Sequence, residues 1–341
     1  MLSTKRLLRT EFFLILALVA LALLIEWRSG GLFFTSNNSI RLARALIIPA
    51  MFCIGQMMIL ISGGVDVSFP AIASLSSFIV VTRLAAFEGS VAVLFLVGAL
   101  LGLLMGAVNG LIIGKFNFPA LIVTLGTMSL FSGIKYGPFA AQEFPIQEQL
   151  NSLGLAYLFY TVDDRGLRAS MPVTVLFLIA LLILAWFIMR RTMLGRGIYA
   201  IGGDRISAER AGLNVFGTQM FIYCFSGMMA GFVGITHAAM MRNYAPTSLD
   251  GMEMTIIAAC VLGGVSITGG KGTILGTILG VTLLTTVNTS LILLGIPLYW
   301  QRVFIGAVII IGTGVSAYHY MKRRKQLSVS IVEEVKKHEA S

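Results

Sequence analysis

The sequence predicts an all-α polytopic membrane protein with about ten transmembrane helices, some of them interrupted. Three observations carry this prediction. Of 341 residues, 57% are hydrophobic and only 12% are charged, where a soluble chain carries about a quarter charged residues. Apolar runs recur along the whole chain at close to the ~20 residues that a membrane helix needs. The net charge of +10 gathers at the edges of those runs, in Lys5, Arg6 and Arg9, in the stretch from Arg190 to Arg210, and in Lys322 to Lys325. That is how the positive-inside bias of membrane proteins is written, so the charge is no nucleic-acid footprint. Cys53, Cys224 and Cys260 lie far apart inside apolar runs with no CxxC pair, which predicts neither a metal site nor a disulfide framework.

The first run, Phe12 to Ile25, is followed by Glu26-Trp27-Arg28 rather than by a small-residue cleavage site, and reads as an uncleaved span. Ser29 to Ser39, rich in Gly, Ser and Asn, reads as an external loop. Span two is expected from Ile40 to Ile61 and span three from Phe69 to Ala86. Ser62-Gly63-Gly64-Val65-Asp66-Val67-Ser68 lies between them, and Pro70 follows. Such a stretch cannot continue a helix, and at membrane depth it is tolerated only when covered by protein or lining a wet cavity.

Span four, Val91 to Ile113, carries Gly98, Gly102, Gly106 and Gly110, with Gly114 just beyond. Glycines at four-residue spacing let another backbone approach closely, so a packing face is expected there. Lys115 to Pro119 makes a turn, and span five covers Ala120 to Lys135. The polar stretch from Gly137 to Met171, with Glu143, Glu148, Asp163 and Asp164, should lie outside, in part as short surface helices. Span six is Pro172 to Met189. Span seven, Phe216 to Met241, has Gly227, Gly231 and Gly234 near one face. After an outer turn at Arg242 to Asp250 come span eight (Gly251 to Leu262), span nine (Thr273 to Leu294) and span ten (Trp300 to Tyr320). Residues 1–320 then form the transmembrane domain and 321–341 a polar cytoplasmic tail, with both termini on the cytoplasmic side.

Between spans six and seven runs Arg190 to Val215, RRTMLGRGIYAIGGDRISAERAGLNV. Asp204 is a good N-cap, since its carboxylate can accept a bond from a free N–H of the first turn. About two helical turns follow, and Gly212 supplies the left-handed residue that stops them. A short capped helix held between two spans is a handle that another protein can push.

This stretch resembles the coupling segment of the permeases of ABC importers, in the branch that carries ribose and other simple sugars. Gly202, Gly203, Asp204, Ser207, Ala208, Ala211, Gly212, Leu213, Asn214 and Val215 carry the match. Departures fall at Asp204, where the family has Asn, at Ser207, where it has Ala, and at Glu209, where Arg is common. A second pattern matches at Gly251, Glu253, Ile257 to Ala259, Val261 to Gly264, Ser266, Gly269, Gly270 and Gly272. The Ser62–Ser68 element is similar to the family's Thr-Gly-Gly-Ile-Asp-Leu-Ser. These three patterns occur in order between about residues 40 and 318.

The resemblance implies the ABC sugar-importer permease fold and a transport subunit without enzymatic activity. No cofactor would bind this chain, and ATP and Mg would sit on a separate ABC ATPase subunit. Further partners would be a periplasmic or extracellular sugar-binding protein, a second permease copy or a sister permease, and a small-molecule sugar, in the bacterial inner membrane. ATPase coupling would fall to Gly203, Asp204, Ser207, Ala208, Glu209, Arg210, Ala211 and Gly212. Gate or pathway positions would be Gly63, Gly64, Asp66, Glu253, Gly263, Gly264, Ser266, Gly269 and Gly270.

Read on their own, these residues carry blander roles too: Asp66 can cap the third span, and Asp250 and Glu253 can be solvated at the outer mouth. Gln56, Asn109 and Asn288 either face a pathway or bond between helices. Gly269-Gly270-Lys271-Gly272 is no phosphate loop, since Val265 and Gly272 stand where that motif needs glycine and a hydroxyl. Gly63 and Gly263, each in a Gly-Gly-Val element, are candidate relics of an internal repeat. The alternative function is a secondary transporter driven by an ion gradient, which needs ionisable groups deep in the spans. Of His237, His319 and His338 the first falls near the outer end of span seven and the second at the last residues of span ten, so none lies deep in a span. No paired carboxylates or nucleophile–base cluster favours an enzyme.

Overall fold

The computed structural model describes residues 4–137, 142–163, 166–297, 300, 303, 306, 307 and 310. The expected tenth span lies mostly outside these, and the 321–341 tail, Asp164, His319 and His338 wholly so. In chain order the elements are α1 (Thr4–Ser29), α2 (Ser36–Ile61), α3 (Phe69–Arg83), α4 (Val91–Phe116), α5 (Ala120–Tyr136) and α6 (Glu148–Leu155). The hairpin β1 (Tyr157–Val162) and β2 (Arg168–Pro172) follows, then α7 (Val175–Arg191), α8 (Met193–Gly203), α9 (Arg205–Arg210), α10 (Val215–Met241), α11 (Met252–Leu262) and α12 (Ile274–Leu293).

Among the described residues α1, α2, α4, α10 and α12 are long and apolar enough to cross a membrane. A sixth span results if α7 and α8, bent by 72° at Thr192, count as one. α3, α5 and α11 are apolar but shorter. Of the ten apolar runs expected from the sequence, five or six are long and apolar enough for a full crossing among the described residues; the Gly-rich breaks shorten α3 and α11, and α5 is short as well.

α2 is the axis of the core. Every residue from Ile47 to Ile61 is buried except Pro49, which is half-buried, as befits a helix apolar on all sides. Its start lies earlier than expected, because Thr35 Oγ1 accepts from Asn38 N and caps the helix inside the presumed loop.

The expected packing face of α4 is occupied by α10, running antiparallel. A Cβ on Gly102 would collide with Gly227 O and lie 2.8 Å from Gly231 N, one on Gly106 would collide with Tyr223 O, and one on Gly114 would lie 2.9 Å from the Phe216 ring. Backbones at this range gain dispersion contacts that lipid cannot match. Gly234 likewise closes α10 onto α3, next to Ala73 and Ser77.

One part of the fold departs from all-α. Tyr157–Val162 pairs antiparallel with Arg168–Pro172, in the stretch expected in part as short surface helices, of which α6 is one. The Arg168 guanidinium lies 4.7 and 3.9 Å from the ring centroids of Tyr157 and Tyr160. Asn37 pins the hairpin to α2, donating to Leu167 O at 2.7 Å and accepting from Thr161 Oγ1 at 2.6 Å.

Candidate functional site: the coupling segment and the glycine junction

The chain leaves α7 at Arg191 and turns at Thr192, whose Oγ1 accepts from Gly195 N at 3.2 Å and starts α8. α8 ends at Gly203, and Asp204 caps α9. The Asp204 carboxylate accepts from Ile206 N at 3.0 Å and from Ser207 Oγ at 2.5 Å. The Ser207 hydroxyl, helped by backbone N–H groups, holds this carboxyl below its ordinary range. Gly212 closes the helix at φ +82°, with Leu213 N bonded to Ala208 O at 3.1 Å, a glycine stop of the expected kind.

Within α9 the side chains divide. Ala208 is buried with Ile201 and Val215, so it packs inward and holds the segment together. Glu209, Arg210, Ala211, Gly212, Gly203, Asp204 and Ser207 are exposed. So is Ile206, at 62%, which the sequence reading passed over. Its signal was present: once Ala208 faces inward, residues two positions away on a helix face outward. Arg205 donates to Asn117 Oδ1 in the turn between α4 and α5.

The three sequence patterns meet at the end of α8. Ile61, the last residue of α2, accepts a bond from Gly270 N at 2.8 Å. A Cβ on Gly202 would fall on Ile61 O and lie 2.5 Å from Gly270 N. One on Gly269 would lie 2.5 Å from Gly202 O, and one on Gly270 would lie 3.0 Å from Gly203 Cα. Tyr199 donates to Gly272 O at 2.8 Å. Glycine at positions 202 and 269 is what lets these three backbones meet. Ser266 keeps the loop closed, its N bonding Lys271 O at 2.9 Å and its hydroxyl lying 2.9 Å from Thr268 Oγ1.

The two breaks share one geometry. Ser62 N, Gly63 N and Gly64 N bond Met58 O, Leu60 O and Ile59 O; Gly263 N, Gly264 N and Val265 N bond Ala259 O, Val261 O and Cys260 O. The left-handed residues are Gly63 (φ +85°) and Gly264 (φ +86°). Gly63 therefore corresponds to Gly264, one position from the pairing with Gly263 that the sequence suggests. Gly263 instead packs on α12, where an added Cβ would collide with Gly276 O.

Asp66 is buried and sets the turn into α3, accepting from Ser68 N at 2.7 Å and Ser68 Oγ at 2.6 Å. Asn109 of α4 donates to the same hydroxyl at 2.9 Å, and Thr124 of α5 donates to Val65 O and accepts from Val67 N. Gly64 lies beneath the Tyr223 hydroxyl. Asn109 Oδ1 and both amide atoms of Gln56 are buried with no hydrogen-bond partner among the described residues. Glu253 stands apart from the junction, in the first turn of α11.

The far end of the molecule holds a charge that the sequence reading treated only as a span boundary. Lys135 is 1% exposed, and its Nζ donates to Pro246 O and to Asp250 Oδ1, both at 2.8 Å. The Tyr136 hydroxyl bonds the other carboxylate oxygen of Asp250.

Residues 38–312 match the family model described as branched-chain amino acid transport system / permease component. The ribose import permease protein RbsC of Bacillus subtilis (strain 168) is 32% identical over 279 residues, 82% of this chain and 84% of its own length. The probable ABC transporter permease protein YphD of Escherichia coli (strain K12) is 33% identical over 306 residues, 88% and 87% of the two chains. The autoinducer 2 import system permease protein LsrC of Yersinia pestis (strain Pestoides F) is 32% identical over 268 residues, 78% and 72% of the two. No solved structure matches the chain. By the extent of the family match and the coverage of these relatives, the chain belongs to the family of branched-chain amino acid transport system permease components.

Proposed function

We propose that the chain is the membrane permease subunit of an ATP-driven, binding-protein-dependent importer for a sugar or sugar-like solute. The observation that carries this is α9, capped at both ends, with Ile206 facing out and α8 behind it seated on the end of α2 and the loop after α11. Ribose and autoinducer-2 permeases among the relatives support the cargo class. On this reading α9 lies on the cytoplasmic face of the inner membrane and docks on an ABC ATPase that holds ATP and Mg. A sugar-binding protein delivers cargo at the opposite face, and a second copy or a sister permease completes the pore. Both termini are cytoplasmic. Gly203, Asp204, Ile206, Ser207, Glu209 and Arg210 form the docking surface, with Ala208 as its inner support. Gly63, Gly64, Asp66, Gly264, Gly269 and Gly270 shape the inner gate.

The test is uptake of a panel of labelled pentoses and hexoses by vesicles containing the chain, its co-purified ATPase and the binding protein. Uptake should require ATP on the ATPase side and persist when ionophores collapse proton and sodium gradients. Uptake that follows the gradient and ignores ATP would favour an ion-driven carrier instead.

A further inference from the structure

We infer that Gly202 and Tyr199 are positioning residues that oblige the end of α2 and the loop after α11 to move together with the coupling segment. The inference rests on the importer reading above. α8 ends against backbone from two different helices, Ile61 O closing α2 and Gly270 N in the loop after α11, and these are bonded to each other. Gly202 sits against both, with no room for a methyl group. A side-chain contact can adapt by changing rotamer, whereas a contact between backbones cannot, and packed interfaces of this kind shift as units.

Three residues earlier, nearly one turn of α8, Tyr199 ties the same helix to Gly272 O, beyond the glycines of the loop. The coupling segment therefore holds the loop after α11 at two points and the end of α2 at one. Only Asp204 separates α8 from α9, so a push on α9 reaches both interrupted helices through this junction. A glycine outside the junction and the docking surface provides a control: at Gly126 of α5 an added Cβ meets nothing within 4 Å.

The test uses the chain with its co-purified ATPase in membranes. A cysteine replaces Ile267, which is 50% exposed in the loop after α11, and its maleimide labelling rate is measured without nucleotide and after trapping with ATP and vanadate. Labelling of the parent protein is subtracted. Trapping should change the rate in the wild-type background and in Gly126→Ala. Gly202→Ala and Tyr199→Phe should still retain the ATPase and hydrolyse ATP, yet lose the change at Ile267Cys. Tyr199→Phe removes one hydroxyl and decides the matter if Gly202→Ala does not fold. An intact response in either folded variant, its loss in Gly126→Ala, or no response in wild type would overturn the inference. Failure of the wild-type chain to retain an ATPase would instead sink the importer reading, and this inference with it.

Discussion

Lys135 and Asp250 form an ion pair whose partners differ in burial, with side-chain exposures of 0% and 42%. Removing one partner of a buried pair strands the other, so the cost depends on which is left. Asp250→Ala leaves a buried ammonium with Pro246 O and the face of the Tyr136 ring but no counter-charge, and we expect it to lower stability by about 3 kcal/mol. Lys135→Met leaves a carboxylate that water can reach and should cost much less. Thermal unfolding of both variants in the same detergent checks the order, and equal losses would contradict it. Asp204 gives a second test. Its folded pKa is depressed, chiefly by the Ser207 hydroxyl, so its contribution to the α9 cap is full above the unfolded-state value. That contribution is lost as pH falls through the lower folded value. The cap should therefore be indifferent to pH near neutrality and weaken only in acid. Ser207→Ala should move the Asp204 titration, followed by carboxyl NMR, back up toward the ordinary range.

The elements divide by how their sequences signal them. α4 and α10 were legible because glycine spacing and apolar length point the same way, and the α9 cap because Asp204 and Gly212 sit where capping chemistry requires them. α8 was not, since Gly195, Gly197, Gly202 and Gly203 lower helix propensity, and the reason for them, close approach to another backbone, is tertiary. The hairpin was hidden for a related reason: Tyr157-Leu158-Phe159-Tyr160 is a short apolar run with no alternation, and periodicity cannot assign such a run. The α4–α10 seam yields its own prediction. Gly102→Ala should force the helices apart and cost roughly 1–3 kcal/mol, as overpacking does. Gly126→Ala on α5, where an added Cβ meets nothing within 4 Å, should leave the unfolding temperature of the detergent-solubilised chain unchanged. A comparable loss in both would contradict the seam reading, because alanine is the better helix former and an uncrowded Gly→Ala change should not destabilise.

At the scale of the whole molecule, three sequence patterns about 140 and 60 residues apart converge on one junction beneath a capped helix, in a chain whose relatives include importer permeases. The patterns were legible one by one. Their convergence was not, because it depends on α8 and on the Ile61–Gly270 bond, neither of which has a sequence signature. The division of α9 into an inner face at Ala208 and an outer face at Ile206 also decides how the docking claim is tested. A charge at Ala208 would disrupt the segment itself, whereas a charge at Ile206 alters only its exposed face. The most direct measurement is therefore co-purification of the tagged chain in mild detergent, wild type beside Ile206→Arg. The account predicts that wild type brings down an ABC ATPase and that Ile206→Arg, equally stable, does not. A wild-type chain that purifies without an ATPase, or an Ile206→Arg chain that keeps it, would contradict the claim that α9 is the coupling helix.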